Sequence, residues 1–123
     1  MEFSCTATQV AGRVTLTLAG EVDLAAHTRF QSEVAQSWDG STDLVIECSG
    51  VTFLDSMGLR VLVHAMQRAS ANGRYVTLAA PSKPVIRVLD LAGVRSLFTE
   101  IGRVRTRLPP KLTLRASAAS GRA

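Results

Sequence analysis

Long hydrophobic runs are missing from this chain of 123 residues. No apolar stretch approaches the roughly 20 residues that a membrane-spanning helix needs, and a run such as Leu44-Val45-Ile46 is strand-sized. A soluble protein of one compact domain is expected. The opening MEFSC has neither a basic n-region nor an apolar h-region, so no secretory signal is read and a cytoplasmic location is expected. Cysteine is scarce: Cys5 and Cys48 stand far apart, each in an apparent strand, without a CxxC or histidine-spaced companion. Metal binding is unsupported, and no cofactor is implied. Two buried thiols in a reducing compartment are the simplest reading, with a regulatory disulfide as the alternative.

Acidic residues are absent from the end of the chain. Residues 103–123 hold 6 Lys/Arg and no Asp or Glu, whereas residues 1–102 hold 8 Lys/Arg against 10 Asp/Glu. The overall charge of +4 therefore belongs to the tail. A nucleic-acid binder is expected to carry its basic stripe on the folded body, and this body is slightly acidic. No direct nucleic-acid partner and no membrane partner are implied, although the tail could raise non-specific binding to acidic surfaces. With Pro109-Pro110 and an Ala/Ser/Gly-rich end, the tail reads as flexible. The expected division is a folded domain over residues 1–102 and a basic tail over 103–123.

Several catalytic patterns are missing too. There is no P-loop and no dinucleotide fingerprint, and a nucleophile elbow G-x-S-x-G would need glycine where Leu54 stands. The two histidines, His27 and His64, fall on expected helices, and His64 sits on a polar side where solvation is its default. A response-regulator receiver has a similar size and an acid near position 55. It also needs paired acids after the first strand to hold Mg²⁺, and Ala7–Val14 has none; Lys83 begins a helix instead of ending a strand.

What is present alternates. Arg13 to Ala19 switches polar and apolar with the period of a half-buried strand, and Phe3 to Gln9 pairs with it across Ala11-Gly12. Gly20-Glu21-Val22-Asp23 breaks the alternation. Phe30, Val34 and Trp38 recur every four residues, so an amphipathic helix is expected from about Ala25 to Ser37, ended by Asp39-Gly40-Ser41. Asp43 to Cys48 reads as a central strand. Leu59, Leu62, Val63 and Met66 mark a second helix stopped by Asn72-Gly73. Tyr75 to Ala80 is a further strand, Pro81 and Pro84 open a third helix with Val85, Val88, Leu89 and Ala92 on its inner side, and Leu97 to Ile101 is a last short strand. The order predicts an α/β fold, a mixed but mostly parallel sheet of four to five strands packed with helices.

The turn Phe53-Leu54-Asp55-Ser56-Met57-Gly58-Leu59 carries the chemistry, because it places a hydroxyl between a buried strand and a helix start. Free amides and the positive end of the macrodipole there would stabilise an anion by roughly 0.3–1 kcal/mol. Asp55 or Ser56 could equally be a plain helix cap, since both types rank high at that position.

Together with Gly20-Glu21-Val22-Asp23 and this element order, F-L-D-S-M-G-L at 53–59 resembles the STAS domain of bacterial anti-sigma factor antagonists over residues 1 to about 101. The resemblance implies a STAS fold and a partner-switching protein that performs no catalysis. When unphosphorylated it would bind a kinase-type anti-sigma factor, a serine kinase, and so free a sigma factor. Phosphorylation of Ser56 by that kinase would end binding, and a phosphatase could reset it. Asp23, Asp55, Met57, Gly58 and Arg60 are the expected partner-binding residues around Ser56. Met57 stands where the family motif has a second hydroxyl, and Arg60 where glycine often follows the leucine. The state expected is a monomer or a weak dimer through an edge strand.

The physics of the switch is simple. A phosphoserine brings about −1.5 to −2 charges next to Asp55 and Asp23, and an uncompensated buried charge costs on the order of 3–5 kcal/mol. Affinity would fall by roughly 10²–10⁴-fold. The alternative inside the family is a non-switching STAS subunit of a lipid-transport or signalling complex, with Ser56 as a cap.

Overall fold

The computed structural model describes residues 2–102. Five strands form one sheet in the order β1-β2-β3-β4-β5. β1 (Ser4–Val10) is antiparallel to β2 (Arg13–Val22), and β2, β3 (Asp43–Leu54), β4 (Val76–Ala79) and β5 (Thr99–Ile101) run parallel. Between the parallel strands lie α1 (Leu24–Ser37), α2 (Ser56–Ala71) and α3 (Lys83–Ala92), with one 3₁₀ turn at Arg95–Leu97 before β5. The expected class, a mixed and mostly parallel α/β sheet, is the one formed.

The strands bury one side. Val14, Leu16, Leu18 and Val22 of β2 join Leu44, Ile46 and Cys48 of β3 and Val76 and Leu78 of β4 in one apolar cluster with Phe30, Val34 and Trp38 from α1, Val61, Leu62 and Ala65 from α2, and Val85 and Leu89 from α3. Each crossover steps one strand the same way along the sheet, which right-handed connections allow only with the helices on a common face. The opposite face carries the cross-strand row Thr8–Thr15–Val45–Thr77–Thr99, four threonines about Val45, which is buried. The threonine hydroxyls can meet water.

Several element limits differ from expectation, each for a local reason. β2 does not break at Gly20. Its alternation continues to Val22, and Gly20 is buried because the chain crosses there: a Cβ on it would lie 2.2 Å from the Glu2 carbonyl oxygen, at a φ of +90°. β3 continues past Cys48 to Leu54, because register shifts against β2 absorb the Ser49-Gly50 interruption. α1 begins at Leu24, immediately after its cap Asp23. Tyr75 lies outside β4 and is 67% exposed, and Ala80 at φ 48° ends the strand. Leu97 belongs to the 3₁₀ turn, held by Arg95, whose guanidinium pairs with Glu100 at 2.7 Å and Asp90 at 3.2 Å. Ala92 is exposed; only Val85 and Leu89 of the α3 stripe are fully buried, with Val88 half-buried. The expected tail over 103–123 lies outside the described residues.

Candidate functional site

At their C-terminal ends β2 and β3 finish side by side, with Val22 paired to Leu54, and an aspartate follows each. Both aspartates cap the helix they precede. Asp23 Oδ1 accepts the Ala26 N–H at 3.0 Å, and its carbonyl accepts from Ala26 and His27. Asp55 Oδ1 accepts from Met57 N–H at 2.9 Å and Gly58 N–H at 3.0 Å, while its own N–H donates to Val22 O at 3.2 Å. The last bond ties the turn to the neighbouring strand, so Asp23 and Ser56 share one end of the sheet as expected.

Between the two candidate caps the structure chooses Asp55. Ser56 is the first residue of α2, exposed, and its hydroxyl is not needed to hold the helix. Open amides were expected to receive an anion here. Two of them, on Met57 and Gly58, are already occupied by the Asp55 carboxylate. A phosphate on Ser56 would keep the favourable end of the macrodipole but would stand beside a fixed negative charge.

The expected partner residues separate by burial. Arg60 is exposed, and Asp23, Asp55 and Met57 are half-buried. Gly58 is buried, and a Cβ on it would lie 2.6 Å from Leu54 Cδ1 and 2.7 Å from Val22 Cγ1. It allows close packing of α2 against the paired strand ends. The two sequence motifs are joined by the Asp55 N–H bond to Val22 O, and Gly58 lets α2 come close to Val22.

Two hollows flank the turn. On the α1 side, Glu2, Glu21 and Asp23 bring three carboxylates around a space of about 320 Å³ that Arg29 also lines. On the α3 side, Phe53, Leu54, Pro84 and Val88 make an apolar cleft of about 570 Å³ edged by Lys83 and Arg87. Phe53, 48% exposed, was missed by sequence reasoning. Its signal was an aromatic at an outward strand position two residues before the capping aspartate.

Cys5 and Cys48 are free and buried. Burial, chiefly by desolvation, pushes the Cys5 thiol up to about 11 and that of Cys48 up to about 12. Among the described residues no group of three His, Cys, Asp or Glu is placed to hold a metal ion, and no helix is long and apolar enough to cross a membrane.

The domain is a mixed α/β sheet with an exposed serine beside a capping aspartate at the strand ends. The chain belongs to the STAS domain family, whose model matches residues 5–108. It is 25% identical over 85 residues to the anti-sigma-B factor antagonist of Bacillus subtilis (strain 168), covering 69% of this chain and 78% of that protein. In fold it resembles the anti-sigma factor antagonist SpoIIAA in its unphosphorylated form, with a TM-score of 0.66 at 20% identity over 80% of this chain and 88% of that one. The phosphorylated form of SpoIIAA from Bacillus gives a TM-score of 0.63 at 20% identity over 80% and 91%. The same fold occurs within the murine anion transporter Slc26a9, with a TM-score of 0.65 at 23% identity over 79% of this chain and 17% of that chain.

Proposed function

We propose that this protein is an anti-sigma factor antagonist switched by phosphorylation of Ser56. Unmodified, it binds a kinase-type anti-sigma factor in the cytoplasm and so releases a sigma factor. The kinase phosphorylates Ser56, and a phosphatase restores the binding form. The observation that carries this reading is the exposed Ser56 hydroxyl standing beside Asp55 at the end of the sheet that also holds Asp23. Asp23, Asp55, Met57 and Arg60 frame the contact surface. A phosphate would add about −1.5 to −2 charges to a surface already bearing two carboxylates, which favours release over binding. The homology to an anti-sigma-B factor antagonist supports it, as does the likeness in fold to a protein described in both phosphorylated and unphosphorylated forms.

Peptide mass spectrometry of the protein from its native cells tests the reading, with Ser56→Ala as control. A phosphoryl group on Ser56, absent in the variant, is expected, together with retention of a serine kinase by the unmodified form. A second reading is a non-switching subunit of a larger assembly; the occurrence of this fold inside a transporter chain favours it. Ser56 unmodified in every growth condition, in a protein that co-purifies with a fixed complex, would decide for that alternative.

A further inference from the structure

The α3 side of the Ser56 turn differs from the α1 side in both polarity and charge. Its cleft is floored by Phe53, Leu54, Pro84 and Val88, and its edge carries Lys83 and Arg87, one helical turn apart on α3. No carboxylate lines it. Among the described residues neither cation is in an ion pair, whereas Asp90 and Glu100 are engaged by Arg95. The first turn of α3 holds no acidic residue, and Ser82 makes no side-chain cap bond. Two unpaired cations and the positive end of a helix dipole thus surround an exposed phenyl ring.

We infer that this cleft is a docking site for a protein segment that presents an apolar side chain flanked by carboxylates. This rests on the reading of the Ser56 turn as a partner-binding surface and gives that surface its second half. The charge argument selects the occupant. Residues 103–123 of the chain itself are basic and without acid, so Lys83 and Arg87 repel them. Across the turn the α1-side hollow is lined by Glu2, Glu21 and Asp23 with Arg29 as its one cation, so its formal charge has the opposite sign. A partner seated over Ser56 meets carboxylates on one side and cations on the other. That polarity fixes its orientation, because reversing it would set like charges together.

Random peptides displayed on phage and selected on the full chain provide the probe, followed by two-dimensional NMR with the enriched peptide as a synthetic ligand. Peptides with an apolar residue bracketed by Asp or Glu are expected, with resonances of Phe53 and residues 83–88 shifting. Lys83→Glu with Arg87→Glu should weaken binding by about tenfold or more, at an unchanged thermal midpoint, and a peptide with its acids replaced by lysine should recover it on that variant. Enrichment of neutral or basic peptides, shifts confined to another face, self-association through the cleft, or no enrichment at all would overturn the inference. Those results leave phosphorylation of Ser56 standing, and an unphosphorylated Ser56 leaves the peptide result standing, so the two readings fail separately.

Discussion

Asp55 and Gly58 do structural work at the turn, and that division of labour leaves Ser56 free for chemistry. Asp55→Ala should cost about 1 kcal/mol, the usual loss for an N-cap, because the amides of Met57 and Gly58 lose their acceptor. Asp55→Asn keeps an acceptor oxygen and should restore most of it, read as urea midpoints. Gly58→Ala should cost about 1–3 kcal/mol, as overpacking does, since its Cβ would press on Leu54 and Val22. Ser56→Ala should leave stability within about 0.5 kcal/mol, as an exposed substitution does. An equal loss at Ser56 would mean that the hydroxyl is a cap. The sequence made the turn legible, because an aspartate and a serine between an apolar strand and an apolar helix stripe are recognisable from residue types. It left the cap open between Asp55 and Ser56, a choice made by local bonds two and three residues along the chain. It did not reveal that Gly58 faces Val22, an approach of segments more than thirty positions apart that no local pattern records.

At the scale of elements, periodicity, apolar runs and prolines located the five strands and three α-helices of the described residues but not the 3₁₀ turn at Arg95–Leu97, and errors gathered where the backbone departs from ideal geometry. Gly20 looked like a break because its missing side chain interrupts the apolar pattern, yet it lies mid-strand to admit the Glu2 carbonyl. Gly20→Ala should therefore destabilise by at least about 2 kcal/mol, from a positive φ and a steric clash together, and β1 should lose protection from hydrogen exchange first. Cys5 on β1 and Cys48 on β3 report on the same core. With their ionisation pushed up to about 11 and about 12 in the fold, both are neutral thiols at physiological pH and should resist iodoacetamide until the chain unfolds. The linkage has a definite sign. The folded pKa values lie above the unfolded value, so the stabilisation is complete below pH 9, where free thiols begin to ionise, and is lost as pH rises towards 11–12. Urea midpoints should fall across that window, and Cys48→Ser, although it introduces a hydroxyl into the core, should flatten part of the decline.

The molecule as a whole is asymmetric in two ways, across its sheet and along its chain. Helices and the apolar cluster occupy one face of the sheet, while the other carries threonines with Val45, Ala79 and Ile101 among them. Along the chain, the charge of residues 1–102 is −2, from 8 basic and 10 acidic residues, while residues 103–123 hold 6 basic residues and no acid. Charge counting made this division legible, but it could not say where the domain ends, and the family match runs past Gly102 to residue 108. Among the described residues the members of the apolar cluster fall between Phe3 and Phe98. We therefore expect a chain ended at Gly102 to unfold cooperatively, with a loss of less than about 1 kcal/mol, since stability follows buried apolar area. Its net charge at pH 7 should change sign from +4 to −2, so that it binds an anion exchanger which the full chain passes through. Docking at the α3 cleft depends on Lys83 and Arg87, which the shortened chain retains, and removal of a repelling basic segment should leave peptide binding unchanged or strengthen it. Loss of cooperative unfolding would place part of the domain beyond Gly102. Retained folding with lost docking would instead make residues 103–123 part of the partner surface.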